Sequence, residues 1–183
     1  MEEKEVRAPQ DLTIGGLALD SRETGEGTLF FALPGEKEDG GDYIAEAKAR
    51  GAVCAVCEQP PETEIPYILV PDAHKALALC AAVWYGTPAG KLTVVGVTGT
   101  NGKTTTTCLI KQLLERTKGA KVGLIGTNQN LIGESAVSAE RTTPDALTLQ
   151  RLLREMADAG CTHAVMELSL IHISEPTRLQ LIS

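Results

Sequence analysis

Apolar residues fall along this chain in two rhythms. Short continuous runs read as buried strands, and stretches with apolar side chains three and four apart read as amphipathic helices. In the first half, LFFAL (29–33), AVCAV (52–56) and YILV (67–70) are strand candidates. The first is closed by Pro34-Gly35, and the proline-rich surface loop EQPPETEIP separates the other two. DYIAEAKARG (42–51) offers a weak helical face through Tyr43, Ile44, Ala47 and Ala49, stopping at Gly51. Asp72 is placed to cap a further helix that carries Ala76, Leu77, Leu79, Cys80, Val83 and Trp84.

The second half repeats strand and helix more strictly. TVVGVT (93–98) is the continuous run expected of a parallel strand covered on both faces. Residues 104–117 read as a helix with Leu109, Ile110, Leu113 and Leu114 apolar, and KVGLIG (121–126) as a second strand. In RTTPDALTLQRLLREMADAG, Thr143 is expected to cap and Pro144 to take the first helical position. Leu147, Leu149, Leu152, Leu153 and Met156 form the stripe. THAVMEL (162–168) is a third strand. The pattern predicts an α/β protein: a small N-terminal α/β domain over 1–88, an incomplete domain with a mostly parallel sheet over 89–169, and a tail over 170–183. YGTPAGK (85–91) marks the expected boundary.

Composition narrows the function class. With 43% hydrophobic but 3% aromatic residues, the cores are filled by Val, Ile, Leu and Ala. A net charge of −7 argues against a nucleic-acid binder, which needs a basic stripe, but does not exclude a nucleotide ligand held by a few local donors. The opening MEEKEVRAPQDL has no apolar signal region, and no run is long enough to span a membrane, so a cytoplasmic protein is expected. The odd count of five cysteines, with Cys54 and Cys57 as a lone C-x-x-C, reads as buried reduced thiols better than as a metal or redox site.

The strongest chemical signal is VVGVTGTNGKTTTT (94–107). A glycine-rich turn between an apolar strand and a helix offers backbone N–H groups to phosphate oxygens, and the helix N-terminus adds positive potential. Gly99, Thr100, Asn101, Gly102, Lys103, Thr104 and Thr105 are the ATP-binding candidates. Lys103, the catalytic candidate, reaches the β- and γ-phosphates, and the Thr104 hydroxyl is placed for Mg²⁺. Val97 stands where the usual G-x-x-x-x-G-K-[ST] pattern has its first glycine.

GTNGKTT in this setting resembles the ATP loop of the Mur ligase superfamily. LALDSRETGEGTLFFALPGEKEDGGDYI (17–44), ERTTPDALTLQ (140–150) and MELS (166–169) resemble segments of its diamino-acid-adding branch. The resemblance implies a uridine-nucleotide-binding domain followed by an ATP-binding domain. It implies an ATP-dependent ligase that joins meso-diaminopimelate or L-lysine to UDP-MurNAc-L-Ala-D-Glu through an acyl phosphate, with Mg²⁺ as cofactor. By the same resemblance Leu19, Ser21, Glu36, Lys37, Glu38, Thr142, Thr143 and Ser169 contact the substrate, and Glu167 joins Thr104 at the metal. Arg141 departs from the family's asparagine. The full-length enzyme is expected to be a monomer, without nucleic-acid or membrane partners.

The tail LIHISEPTRLQLIS has no helical stripe, is interrupted by Pro176, and resembles the translation of a sequencing-library adapter. A non-native or disordered tail is therefore expected, its deletion leaving stability unchanged, and the chain as it stands is expected to be inactive. Three other readings share some of these motifs: the D-Ala-D-Ala-adding sister ligase, a module that only binds a uridine nucleotide, and a small-molecule P-loop kinase. The kinase leaves residues 12–44 without a role.

Overall fold

The computed structural model describes residues 5–35, 38–137 and 144–168. Glu36, Lys37, Arg141, Thr142, Thr143, Ser169 and the 170–183 tail lie outside the described residues. The chain divides into two compact units, Met1–Leu77 and Ala78–Ser183.

In the first unit the strands are β1 (Glu5–Arg7), β2 (Gly16–Ala18), β3 (Thr28–Phe31), β4 (Ala52–Cys57) and β5 (Tyr67–Leu69), in the order β1-β5-β4-β3-β2. β2 to β5 pair in parallel, and β1 adds an antiparallel edge. A 3-10 turn over Gly40–Tyr43 leads into α1 (Ile44–Ala49), whose Ile44 and Ala47 bury against Phe30, Ala55, Tyr67 and Leu69. Ala49 faces solvent, so only part of the predicted stripe is used.

Cys54 and Cys57 are three residues apart on β4 and therefore on opposite faces of the sheet. Cys57 joins the core that receives α1, and Cys54 does not. Both are buried free thiols, and burial pushes each up to about 11. A shared ligand site is ruled out by that geometry.

α2 (Ala73–Trp84) starts where the sequence places it. The Asp72 carboxylate accepts the N–H of Lys75 at 2.8 Å, and Glu58 accepts that of Ala73 at 2.9 Å. His74, which the sequence leaves without a partner, has Nε2 at 3.3 Å from the Pro34 carbonyl oxygen. The buried face runs through Ala73, Ala76, Leu77, Ala78 and Ala81, while Val83 and Trp84 are exposed rather than part of the stripe.

The second unit contains β6 (Thr93–Val97), α3 (Lys103–Lys118), β7 (Val122–Ile125), β8 (Asn130–Ile132), β9 (Ser135–Val137), α4 (Ala146–Asp158) and β10 (His163–Glu167). The sheet order is β6-β10-β7-β8-β9. β10 lies between β6 and β7, parallel to both, with Glu167 opposite Val97 and Met166 opposite Ile125. β7, β8 and β9 run antiparallel, and Gly133 (φ 63°) with Glu134 closes the β8–β9 turn.

α3 and α4 cover opposite faces of this sheet. Ile110 and Leu114 pack with Val95, Val122, Leu124 and Val165; Leu149, Leu152, Leu153 and Met156 pack with Ile125, Ala164 and Met166. β6 was expected to be covered on both faces. It is half-buried instead, because among the described residues it forms an edge of the sheet.

Two helix details differ from the sequence reading. Leu109 and Leu113 of α3 are 60% and 61% exposed, and the face toward the sheet instead includes Lys111. That ammonium is buried because it donates to Glu115 and, at 3.1 Å, to the Val122 carbonyl oxygen. α4 is capped by Asp145, not Thr143: its carboxylate accepts the Thr148 N–H at 2.9 Å, so Pro144 precedes the cap and Ala146 opens the helix.

Candidate functional site

β6 ends at Val97, and α3 begins at Lys103 immediately after the loop. Gly99 and Gly102 have φ of 150° and 79°, conformations that residues with a side chain rarely adopt. Gly102 is the N-cap of α3 and supplies no side-chain acceptor. The Thr106 N–H bonds to the Gly102 carbonyl oxygen at 2.9 Å, so the N–H groups of Lys103, Thr104 and Thr105 precede the first turn's internal bonds. Such N–H groups, aligned with the helix dipole, make an anion site. The Lys103 ammonium folds back over the same loop and donates to the Gly99 carbonyl oxygen at 2.8 Å.

The central position of β10 delivers Glu167 to this loop. Its side chain is 1% exposed, a buried carboxylate rather than a solvated strand end. Oε2 accepts from the Thr104 and Thr127 hydroxyls, each at 3.1 Å, and Oε1 accepts the Thr127 N–H at 3.3 Å. Donors of this kind are what a buried carboxylate requires. Gly126 leaves space for it: a Cβ there would stand 2.7 Å from Oε1.

The Thr104 hydroxyl and the Glu167 carboxylate are hard oxygen donors and fit Mg²⁺. Among the described residues no cluster of three or more acidic, His or Cys side chains forms a metal cage. Mg²⁺ commonly takes one or two protein ligands and completes its shell with phosphate and water.

The first unit holds a separate cavity of ≈ 510 Å³, lined by Leu19, Ser21 and Glu38 together with Tyr43, Glu46 and Arg50. The buried Ser21 hydroxyl donates to Glu46 Oε2 at 2.9 Å, and Arg50 pairs with Glu46 Oε1 at 2.9 Å. Those two contacts, Ser21 first, lower the Glu46 carboxyl. Hydrogen bonds from Arg22 hold Asp20 at about 2, and the Glu38 carboxylate keeps the Tyr43 phenol above its ordinary value.

The structure thus brings Leu19, Ser21 and Glu38 to one cavity, and residues 99–105 with Glu167 to another site. Sequence reasoning missed Glu46 and Arg50, whose i, i+4 spacing reads as an ordinary surface pair, and Thr127, whose neighbours Gly126 and Asn130 signal only a turn.

Comparison with known proteins fits this arrangement. Residues 13–85 match the model for the Mur ligase family catalytic domain, and residues 97–183 that for the Mur ligase middle domain. The chain belongs to the Mur ligase family. A UDP-N-acetylmuramoyl-L-alanyl-D-glutamate–2,6-diaminopimelate ligase from Geobacillus kaustophilus is 46% identical over 156 residues, 85% of this chain and 32% of the relative. The ligase of that name from Bacteroides fragilis is 43% identical over 93% of this chain and 36% of its own length. This Mur ligase chain therefore spans about a third of the length of such relatives.

Among solved structures, a ligase with the same name as those relatives superposes with a TM-score of 0.70 at 26% identity, over 90% of this chain and 34% of its own. The MurF ligase of Thermotoga maritima, in complex with ADP, gives 0.54 at 28% identity, over 88% and 33%. No helix among the described residues is long and apolar enough to cross a membrane.

Proposed function

We propose that the chain is part of a ligase of the MurE type, which forms a peptide bond between the D-glutamyl carboxylate of UDP-MurNAc-L-Ala-D-Glu and a diamino acid, driven by ATP. The observation that carries the reading is the buried Glu167 carboxylate 3.1 Å from the Thr104 hydroxyl beside a phosphate-type loop. The 42–46% identity to diaminopimelate-adding ligases supports that branch over the D-Ala-D-Ala-adding one. So does the TM-score of 0.70, against 0.60 for the D-alanyl-D-alanyl ligase of Acinetobacter baumannii.

A carboxylate is a poor acceptor for an amine, so it is first activated. A carboxylate oxygen takes the γ-phosphoryl group of ATP, and ADP leaves. The amine then attacks the acyl carbon, phosphate departs with the C–O bond electrons, and the amine loses a proton. The Lys103 ammonium and the N–H groups at the start of α3 stabilise charge spread over the transferring phosphoryl oxygens. Thr104 and Glu167 would hold Mg²⁺, which neutralises phosphate charge when bound. The cavity around Leu19, Ser21 and Glu38 holds the uridine end of the substrate. The domain limits that go with this reading are 1–88 and 89–169. Thr142, Thr143 and Ser169 belong to it as contacts to the muramoyl-peptide portion, with Glu36 and Lys37 at the uridine end.

Titrating the 183-residue chain separately with Mg-ATP and with UDP-MurNAc-L-Ala-D-Glu tests the reading. Two independent binding events are expected, the first abolished by Lys103→Ala and the second unaffected by it. Binding of the uridine compound alone would leave only a nucleotide-sugar module and refute the ligase reading. In the whole ligase, ADP release is expected only when both the uridine substrate and a diamino acid are present.

A further inference from the structure

Glu167 does not lie against the phosphate loop by virtue of β10 alone. Its carboxylate is also held by Thr127, on the turn that follows β7. The Thr127 N–H meets Oε1 at 3.3 Å, and the Thr127 hydroxyl meets Oε2 at 3.1 Å. Two donors from a single residue on the two oxygens of one carboxylate fix its rotation about the terminal side-chain bond, which is otherwise broad. The turn that carries Thr127 is itself held in place. The Gly126 N–H donates to the Asn130 side-chain oxygen at 3.3 Å, and Asn130 is buried at the start of β8. Gly126 admits no Cβ, because that atom would meet Glu167 Oε1 at 2.7 Å.

The two hydroxyls on Oε2 have different duties. Thr104, on the reading above, gives its oxygen to the cation, whereas Thr127 lies in the turn between β7 and β8, outside the phosphate loop. We infer that Thr127 is a positioning residue for the magnesium site, holding Glu167 in the orientation in which it shares a cation with Thr104. Thr127 itself touches neither nucleotide nor metal in this assignment. The inference rests on the proposed ATP site and adds a residue that neither the loop motif nor the family resemblance supplied.

The test uses calorimetric titration of the 183-residue chain with ATP, once in excess Mg²⁺ and once in EDTA. Wild type is expected to bind ATP more tightly with Mg²⁺. Thr127→Val keeps the N–H and removes the hydroxyl. It is expected to weaken the Mg²⁺-dependent binding about tenfold, the lower end of the range for groups that orient metal ligands, and to leave binding in EDTA unchanged. Thr127→Ser, which restores the hydroxyl, should recover the wild-type difference between the two conditions.

An equal loss in Mg²⁺ and EDTA would make Thr127 a merely structural residue and overturn the inference. Unchanged Mg²⁺-dependent binding in Thr127→Val, or no recovery in Thr127→Ser, would overturn it as well. A wild-type chain that binds ATP equally with and without Mg²⁺ would remove the metal role while leaving the phosphate loop intact. A wild-type chain that binds no ATP at all would fail one step earlier, refuting the ATP site and this role together.

Discussion

The wall of the cavity in the first unit is assembled from side chains on separate stretches: Leu19 to Arg22, Glu38 to Glu46, and Arg50. The phosphate-type site of the second unit is mostly backbone, a single turn from Gly99 to Thr105 at the head of α3, joined by Glu167 from a strand 63 residues further along. The difference shows in the charges. In the cavity, carboxylates are matched by arginines on an exposed rim, Asp20 with Arg22 and Glu46 with Arg50. At the loop, one carboxylate is buried and satisfied by hydroxyls and an N–H. Rim pairs tolerate change, because exposed ion pairs contribute little. A buried carboxylate does not, because removing one donor leaves it under-satisfied. The second unit should therefore be the more sensitive to single substitutions.

The largest effect is expected at Lys103. In the whole ligase, Lys103→Ala should lower turnover by about 10³-fold, the scale on which phosphoryl transfer loses a charge-stabilising group. Binding of UDP-MurNAc-L-Ala-D-Glu should stay near wild type, since Lys103 has no part in the cavity around Ser21. Steady-state ADP release, paired with a binding titration, measures both. Turnover near wild type in the variant would remove Lys103 from the mechanism.

Gly126→Ala comes next. Its Cβ would press on Glu167 Oε1 at 2.7 Å, and the carboxylate can retreat only by breaking its contacts with Thr127 or Thr104. Mg²⁺-dependent ATP binding should fall by about 10- to 100-fold, as when groups that support a metal ligand are disturbed. A thermal melt checks that the fold persists. If Mg²⁺ dependence survives in a folded Gly126→Ala chain, the carboxylate is less tightly held than the geometry implies.

These two sites also show what could be read from the chain and what could not. The loop was legible because backbone N–H groups act as a contiguous motif, and Gly99, Gly102 and Lys103 keep their spacing whatever the rest of the fold does. Glu167 was legible because a carboxylate closing an apolar run lands at the carboxyl end of a parallel strand. Thr127 carried no such signal: its role depends on β10 entering between β6 and β7, a pairing that no local pattern specifies. The same holds for Glu46 at Ser21. The strands β1, β2, β8 and β9 escaped because, unlike the equally short β5 inside YILV, they lie in no continuous apolar run, and Pro144 misled because Asp145 is the better cap. On α3 the apolar side chains wrap too far round the helix to tell Leu109 and Leu113 from Ile110 and Leu114; the buried contacts of Lys111 settle which face meets the sheet.

In the cavity of the first unit the expected effects are smaller. Ser21→Ala removes one hydrogen-bond donor to Glu46, so binding of the uridine substrate should weaken by a few fold at most. Arg50→Ala exposes the same carboxylate on its rim side and should change binding less than Ser21→Ala does. Reversal of that order would place the recognition on the rim rather than on the buried hydroxyl.

The smallest effect concerns the thiols of β4, where the first unit has its own buried ionisable groups. Burial pushes Cys54 and Cys57 up to about 11, above the ordinary thiol range. The unfolded chain releases these protons at lower pH than the folded chain does. Stability is therefore fully present below the unfolded value and declines as pH rises toward the folded one. At a pH equal to the unfolded value, the loss is RT ln 2, about 0.4 kcal/mol per thiol. Urea melts of the 183-residue chain at neutral and mildly alkaline pH should show the decline, and Cys57→Ala should reduce it, with Cys54 and the likewise raised Cys80 supplying the remainder. A thiol reagent adds a sharper reading: in the folded chain both positions should react far more slowly than in urea, since only the thiolate attacks. Rapid native-state labelling of Cys54 or Cys57 would show that β4 opens far more readily than a strand between β3 and β5 should.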